Sequence, residues 1–274
     1  MIVGYSYSLF NNHAFSSGDS LDPDAQLFLT NSVITDSTEQ SATNQLVLDI
    51  KALGIWNKMI AVYLWLGSSA STSRLNLVNP VDSNAAFRLT FYGGWTYSAL
   101  GGLPNGTNAY ADPYINALTN LSSTSFTIGT YLNSPIISNR YHFGVSGGSA
   151  STVISLRNSS TTNKVGYLQS TVLPLNKTVN TTTNQGFWAI SKRADNDRTM
   201  ICSDGTFVNN TSAAAITNPN LGFAIAAQNV TGTISSYDTM RHAFDFFAQG
   251  LTNAELTGLR TAVINFQTTL SRAV

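Results

Sequence analysis

Between residues 93 and 116 the chain reads GGWTYSALGGLPNGTNAYADPYIN, in which Trp95, Tyr97, Tyr110 and Tyr114 are interleaved with Asn105, Asn108 and Asp112. An aromatic ring can cover the C–H face of a pyranose while planar amides and carboxylates hold its hydroxyls, so these residue types suit a sugar site. The candidate ligand contacts are therefore Trp95, Tyr97, Asn105, Asn108, Tyr110 and Asp112. The same pattern also serves ordinary structure, because aromatics two apart form cross-strand pairs and Gly-Pro-Asn runs make loops where strands end. Trp65 and Trp188 have apolar neighbours and read as core.

Catalytic chemistry finds few residues to use. Glycoside hydrolysis takes two carboxyl groups roughly 5 to 9 Å apart, yet Glu39 and Glu255 are the only glutamates and both sit where helix caps are expected. Asp195 and Asp197 in RADNDR suit a solvated hairpin turn better than a calcium loop, since no twelve-residue ligand pattern accompanies them. His13, His142 and His242 lie far apart, on or near different predicted strands, so only the tertiary fold could gather them. Ser146 in GVSGG loosely matches a nucleophile elbow, but the residues after it read as a strand where that motif needs a helix. Cys202 is the only cysteine, which excludes an intrachain disulfide and a cysteine-based zinc site. The residues thus point to no catalytic site, no metal and no cofactor.

Composition narrows the partners. Of 274 residues 43% are hydrophobic and only 10% charged, with 14 Lys and Arg against 14 Asp and Glu. A chain without net charge has no field to attract a phosphate backbone, so nucleic acid is not an expected partner. No run approaches the roughly 18 apolar residues of a membrane span, and MIVGYSYSLFNNHAF lacks the basic and apolar regions of an export signal. Abundant Asn, Thr and Ser suit strands and turns better than helix interiors.

The elements that would position these residues follow from spacing. Asp22 before Pro23 and Asp36 before Glu39 predict two helix starts, the second helix running to Gly54. MIAVYLWLG reads as a strand buried on both faces. From Arg74 onward RLNLV, AFRLTFYG, SFTIGTYLN, RYHFGVSG, STVISLRN, KVGYLQS, GFWAISKR, TMICSDGTFV, LGFAIAAQ and HAFDFFAQ are strand candidates, parted by turns such as Gly147-Gly148, 195–197 and Asp204-Gly205. In HAFDFFAQ, Phe244, Phe246 and Ala248 share a face. After Gly250, Thr252 and Glu255 form a capping box, and Leu256, Leu259, Val263, Phe266 and Leu270 make one apolar helix stripe.

This order of elements, with AAFRLTFYGGWTYSALGGLPNGTNAYADPYIN, GFWAISKR and FFAQGLTNAELTGLRTAVINFQTTL as its marks, resembles structural proteins of tailed bacteriophages whose body is a concanavalin A-like jelly roll. The resemblance implies a mainly β, antiparallel sandwich over residues 21–274, helical at 21–54 and closed by a helix at 252–272, with residues 1–20 as an arm. It also implies a non-enzymatic virion component, attached to capsid or tail, whose partners are copies of itself and other virion proteins. The alternative is a carbohydrate-binding adhesin that recognises host surface glycans.

Overall fold

The protein, described from a computed structural model, is defined over residues 21–134, 141–147, 150–155, 163–168, 175–178, 185–212 and 217–274. The arm expected at 1–20, with His13, and the expected turn residue Gly148 lie outside the described residues.

Asp22 caps α1 (Pro23–Ser32) by accepting the Asp24 N–H at 3.0 Å, and Asp36 caps α2 (Ser37–Ala52) by accepting that of Glu39 at 2.9 Å. Each side chain satisfies one of the donors that a helix start leaves without an intrahelical partner. Lys51, near the end of α2, reaches back to Asp22 at 2.6 Å and Asp24 at 2.5 Å and ties the two helices together.

The chain then alternates short strands with turns. In order these are β1 (Met59–Tyr63), a four-residue α3 (Ala70–Ser73), β2 (Thr90–Tyr92), β3 (Trp95–Ser98), β4 (Gly101–Pro104), β5 (Tyr110–Asp112), β6 (Phe126–Leu132), β7 (Phe143–Gly147), β8 (Ala150–Ser155) and β9 (Asn163–Leu168). They continue as β10 (Leu175–Thr178), β11 (Gly186–Ala194), β12 (Asp197–Ile201), β13 (Phe207–Asn210), β14 (Ala224–Ile225), β15 (Gln228–Val230), β16 (Thr233–Ser235) and β17 (His242–Ala248), before α4 (Asn253–Thr269).

One sheet runs β13-β12-β11-β6-β17-β4-β3, with β1 added alongside β17. The other runs β10-β9-β8-β7-β14-β5-β2, with the β15–β16 hairpin beside β7. Pairing is antiparallel except between β7 and β15. The expected mainly β sandwich, with helices before and after it, is the architecture found.

Strand alternation builds two cores. Phe126, Ile128, Trp188, Ile190 and Phe247 turn towards the other sheet, whereas Tyr131, Phe187, Ala189, Phe244 and Phe246 turn towards the helices. The first sheet is therefore covered on both faces, and β6 and β17 are buried along their whole length. Each fully buried Phe contributes about 1.5–3 kcal/mol relative to exposure, so these central strands carry much of the hydrophobic stabilisation.

Helix α4 closes the layer. Thr252 Oγ1 accepts from Glu255 N at 3.2 Å while Glu255 accepts from Thr252 N at 2.8 Å, the reciprocal box expected from T-x-x-E. Leu256, Leu259, Val263 and Phe266 are buried against the first sheet and α2, and Lys58 grips Glu255 at 2.6 Å.

Three segments depart from the expected elements. RLNLV is not a strand, because Asn76 bonds the backbone of Val62, Val78, Ile60 and Ala86 with its amide and holds the segment as a loop. LGFAIAAQ breaks at Ala226, whose φ of 63° is left-handed, into β14 and β15. AFRLTFYG pairs only at 90–92, since Phe87 is left-handed at φ 60°.

Candidate functional site

The stretch 93–116, read as a possible binding loop, forms three strands, and their pairing sorts its residues. In β2 and β5, Thr90 faces Asp112, Phe91 faces Ala111 and Tyr92 faces Tyr110. Phe91 and Ala111 point into the inter-sheet core, so Thr90, Tyr92, Tyr110 and Asp112 line the outer face at the sheet's edge.

On that outer face the Tyr92 and Tyr110 rings stack, with centroids 4.7 Å apart and planes 10° from parallel. Tyr92 is 41% exposed. Asp112 accepts the Tyr114 N–H at 2.7 Å, a two-residue turn that holds Tyr114 in a left-handed conformation at φ 55°. A non-glycine residue there costs about 1–2 kcal/mol. The turn sends the Tyr114 hydroxyl over the sheet to within 3.0 Å of Thr90 Oγ1. Partial burial pushes the Asp112 carboxyl up despite that backbone hydrogen bond, and burial together with neighbouring tyrosines and Asp112 pushes up the Tyr110 phenol.

The other candidates have structural positions. Trp95 turns inward from β3, stacks on Trp65 at 5.3 Å and packs against Phe91 and Tyr97, while its indole N–H donates to the carbonyls of Tyr92 and Tyr110. Tyr97 packs edge-on to Phe91, and burial drives its phenol well above the usual range. Asn105 accepts the N–H groups of Thr107, Asn108 and Ala109 and donates to Asn108, which in turn accepts from Gly94. Both asparagines thus hold the 105–108 turn. Tyr110 and Asp112 stand together on the outer face, joined there by Tyr92 and Tyr114. Only the register of β2 against β5 brings Tyr92 in, which the linear spacing of the stretch does not show.

The fold also gathers two of the three histidines. His142 Nδ1 hydrogen-bonds Asp238, His242 Nε2 lies 3.3 Å from the same carboxylate, and His242 Nδ1 lies 3.0 Å from both oxygens of Asp245. Asp245 Oδ2 then accepts the Trp65 indole N–H at 2.7 Å. The four ionisable side chains are wholly buried. Burial alone would pull His242 down, but Asp245 and Asp238 outweigh it and hold the imidazole up at about 9. Burial alone would likewise raise Asp238, but His142 and His242 hold it below the usual carboxylate range. Sealed from solvent, this row of alternating imidazoles and carboxylates clamps the residue before β7, the loop before β17 and β17 itself to one another. The sequence carried one signal of it, an Asp and a His in the otherwise apolar run HAFDFFA.

The carboxylates considered for catalysis are engaged elsewhere. Asp195 pairs with Lys192 at 2.6 Å and Asp197 with Arg193 across the hairpin turn. Glu39 accepts from Gly67 N at 3.1 Å, and Glu255 is held in its capping box. Ser146 lies within β7, followed by β8 and not by a helix. Among the described residues no group of three or more His, Cys, Asp or Glu side chains is placed to hold a metal ion. No described helix is long and apolar enough to cross a membrane. A cavity of about 490 Å³ beside the α1–α2 turn includes Asp36 and Glu39, but both carboxylates already bond backbone N–H groups there.

No family model and no curated protein matches this chain. Solved structures do. The binding domain of botulinum neurotoxin serotype D is 10% identical, with a TM-score of 0.52 over 77% of this chain and 52% of that one. A second receptor binding domain is 12% identical, with a TM-score of 0.52 and the same coverage. A mutant of the NanB sialidase from Streptococcus pneumoniae is 12% identical, with a TM-score of 0.43 over 52% of this chain and 25% of that one. The chain thus spans about half the length of the two binding-domain chains and a quarter of the sialidase. At these identities the likeness establishes fold alone: this chain shares a β-sandwich found in receptor-binding domains.

Proposed function

We propose that the protein is a non-enzymatic recognition module that binds a glycan on the outer edge formed by β2 and β5. The observation that carries this reading is the cluster of Tyr92, Tyr110 and Tyr114 around Asp112, partly exposed tyrosine rings and a carboxylate on one surface. The Tyr92 ring is exposed with the half-buried Tyr110 and Tyr114 beside it, and Tyr114 is held in a costly backbone conformation to join them; such strain is characteristic of ligand clamps. The engagement of both glutamates and of Asp195 and Asp197 supports the absence of hydrolysis.

The sequence resemblance to phage structural proteins supports one setting for such a module, display on a virion beside copies of itself and other virion proteins. The experiment is a glycan array probed with the intact chain and with a Tyr92→Ala/Tyr110→Ala variant. Binding by the parent and its loss in the variant, at unchanged melting temperature, is the expected result. A parent that binds no glycan, or a variant that binds equally well, removes the reading.

A further inference from the structure

We infer that the glycan taken at this edge is an uncharged sugar, and that Asp112 selects it by accepting its hydroxyl protons. The inference rests on the glycan reading above and names the substrate class of the same surface.

Three observations carry it. First, the polar groups around the stacked Tyr92 and Tyr110 rings include the hydroxyls of Thr90 and Tyr114 and the carboxylate of Asp112, with the Arg88 guanidinium beside Tyr114, donors and acceptors of the kind vicinal hydroxyls need. Second, Asp112 is half-buried and pairs with no described cation; one oxygen accepts the Tyr114 N–H, which leaves the other for a ligand. A partly desolvated carboxylate is poorly screened, so it repels an acidic sugar seated on the neighbouring rings. Third, the cations at the rim are shared with a second carboxylate: Arg88, beside the Tyr114 phenol, holds Asp82 at 2.9 Å and Asn84 at 3.0 Å, and Arg74 shares Asp82 at 2.5 Å. The two arginines together balance Asp82 and Asp112, so the edge offers no net positive charge to an anionic ligand.

Asp112→Asn makes a clean test, because the amide oxygen can still accept the Tyr114 N–H and keep the turn. The probes are matched neutral oligosaccharides and their sialylated or sulfated counterparts, measured by calorimetry on the intact chain, D112N and the Tyr92→Ala/Tyr110→Ala variant. Neutral sugars should bind the parent, acidic counterparts at least about tenfold more weakly, and D112N should lose roughly tenfold or more for neutral sugars, the scale of one hydrogen bond to a charged group. If acidic glycans bind better than neutral ones, and that binding is lost in the double tyrosine variant, the neutral-sugar inference falls while the glycan reading stands. If D112N binds neutral sugars as the parent does, Asp112 is not the selector. If no glycan of either class binds, both fall together.

Discussion

Trp65 and Asp245 are joined through the indole N–H at 2.7 Å in the middle of the sandwich, far from any water. The pair ends a row that runs through His242 and Asp238 to His142, so an aromatic cluster and a buried set of charges form one unit. Gly102 admits the Trp65 ring beside it, because a Cβ there would collide with the ring. Trp65 in turn is stacked by Trp95.

The charge row predicts a stability optimum in pH. His242 is raised from 6.5 to about 9, so its contribution is complete below about 6.5 and disappears as pH rises through 9. Asp238 is held below its ordinary 3.8, so its contribution is complete above about 4 and is lost well into acid. Melting temperature should therefore peak between about 4 and 6.5 and fall through 9, with a change in tryptophan emission on the alkaline side as Trp65 loses its setting. A flat profile from pH 6 to 10 would count against the protonated His242.

Removing Asp238 leaves the buried His142 and His242 rings without the carboxylate they share. Asp238→Ala should cost about 3–5 kcal/mol in urea unfolding, the scale for breaking a buried ion pair from one side. Asp197→Ala, which breaks an exposed pair with Arg193, should cost no more than about 1 kcal/mol.

Gly102→Ala should destabilise by about 1–3 kcal/mol through overpacking against Trp65. Near-ultraviolet circular dichroism should change with it, since the Trp65–Trp95 stack must shift. An unchanged spectrum at full stability would show that the ring has room to move.

Arg272 buries its guanidinium where four oxygens receive it, the side chain of Gln267 at 2.6 Å and the carbonyls of Leu64, Trp65 and Ala243 at 2.9 to 3.2 Å. A lysine cannot reproduce that fork. Arg272→Lys should cost about 2–4 kcal/mol, read by thermal unfolding, by leaving buried carbonyls unpaired.

The sequence made the helices legible because their signals are local: Asp22, Asp36 and Thr252 each cap within three residues of themselves. The long central strands were legible for a similar reason, since β6, β11 and β17 are apolar runs bounded by turns. The short strands β3, β4 and β5 near the ends of the two sheets were not, because three or four residues are too few to carry an alternation and become strands only by pairing with neighbours. The charge row was hidden by distance, as 96 residues separate His142 from Asp238. The proposed binding edge was half visible: Tyr110 and Asp112 were named by composition, whereas Trp95 and Tyr97 look identical in sequence and turn the other way.

The helical layer on the first sheet divides the molecule's obligations. Changes beneath α1, α2 and α4 are felt as lost stability, and changes on the uncovered tyrosine edge, on the proposed function, as altered recognition. On that proposal, a lineage carrying this fold can revise what it recognises without disturbing how it stands, and each task can drift at its own pace.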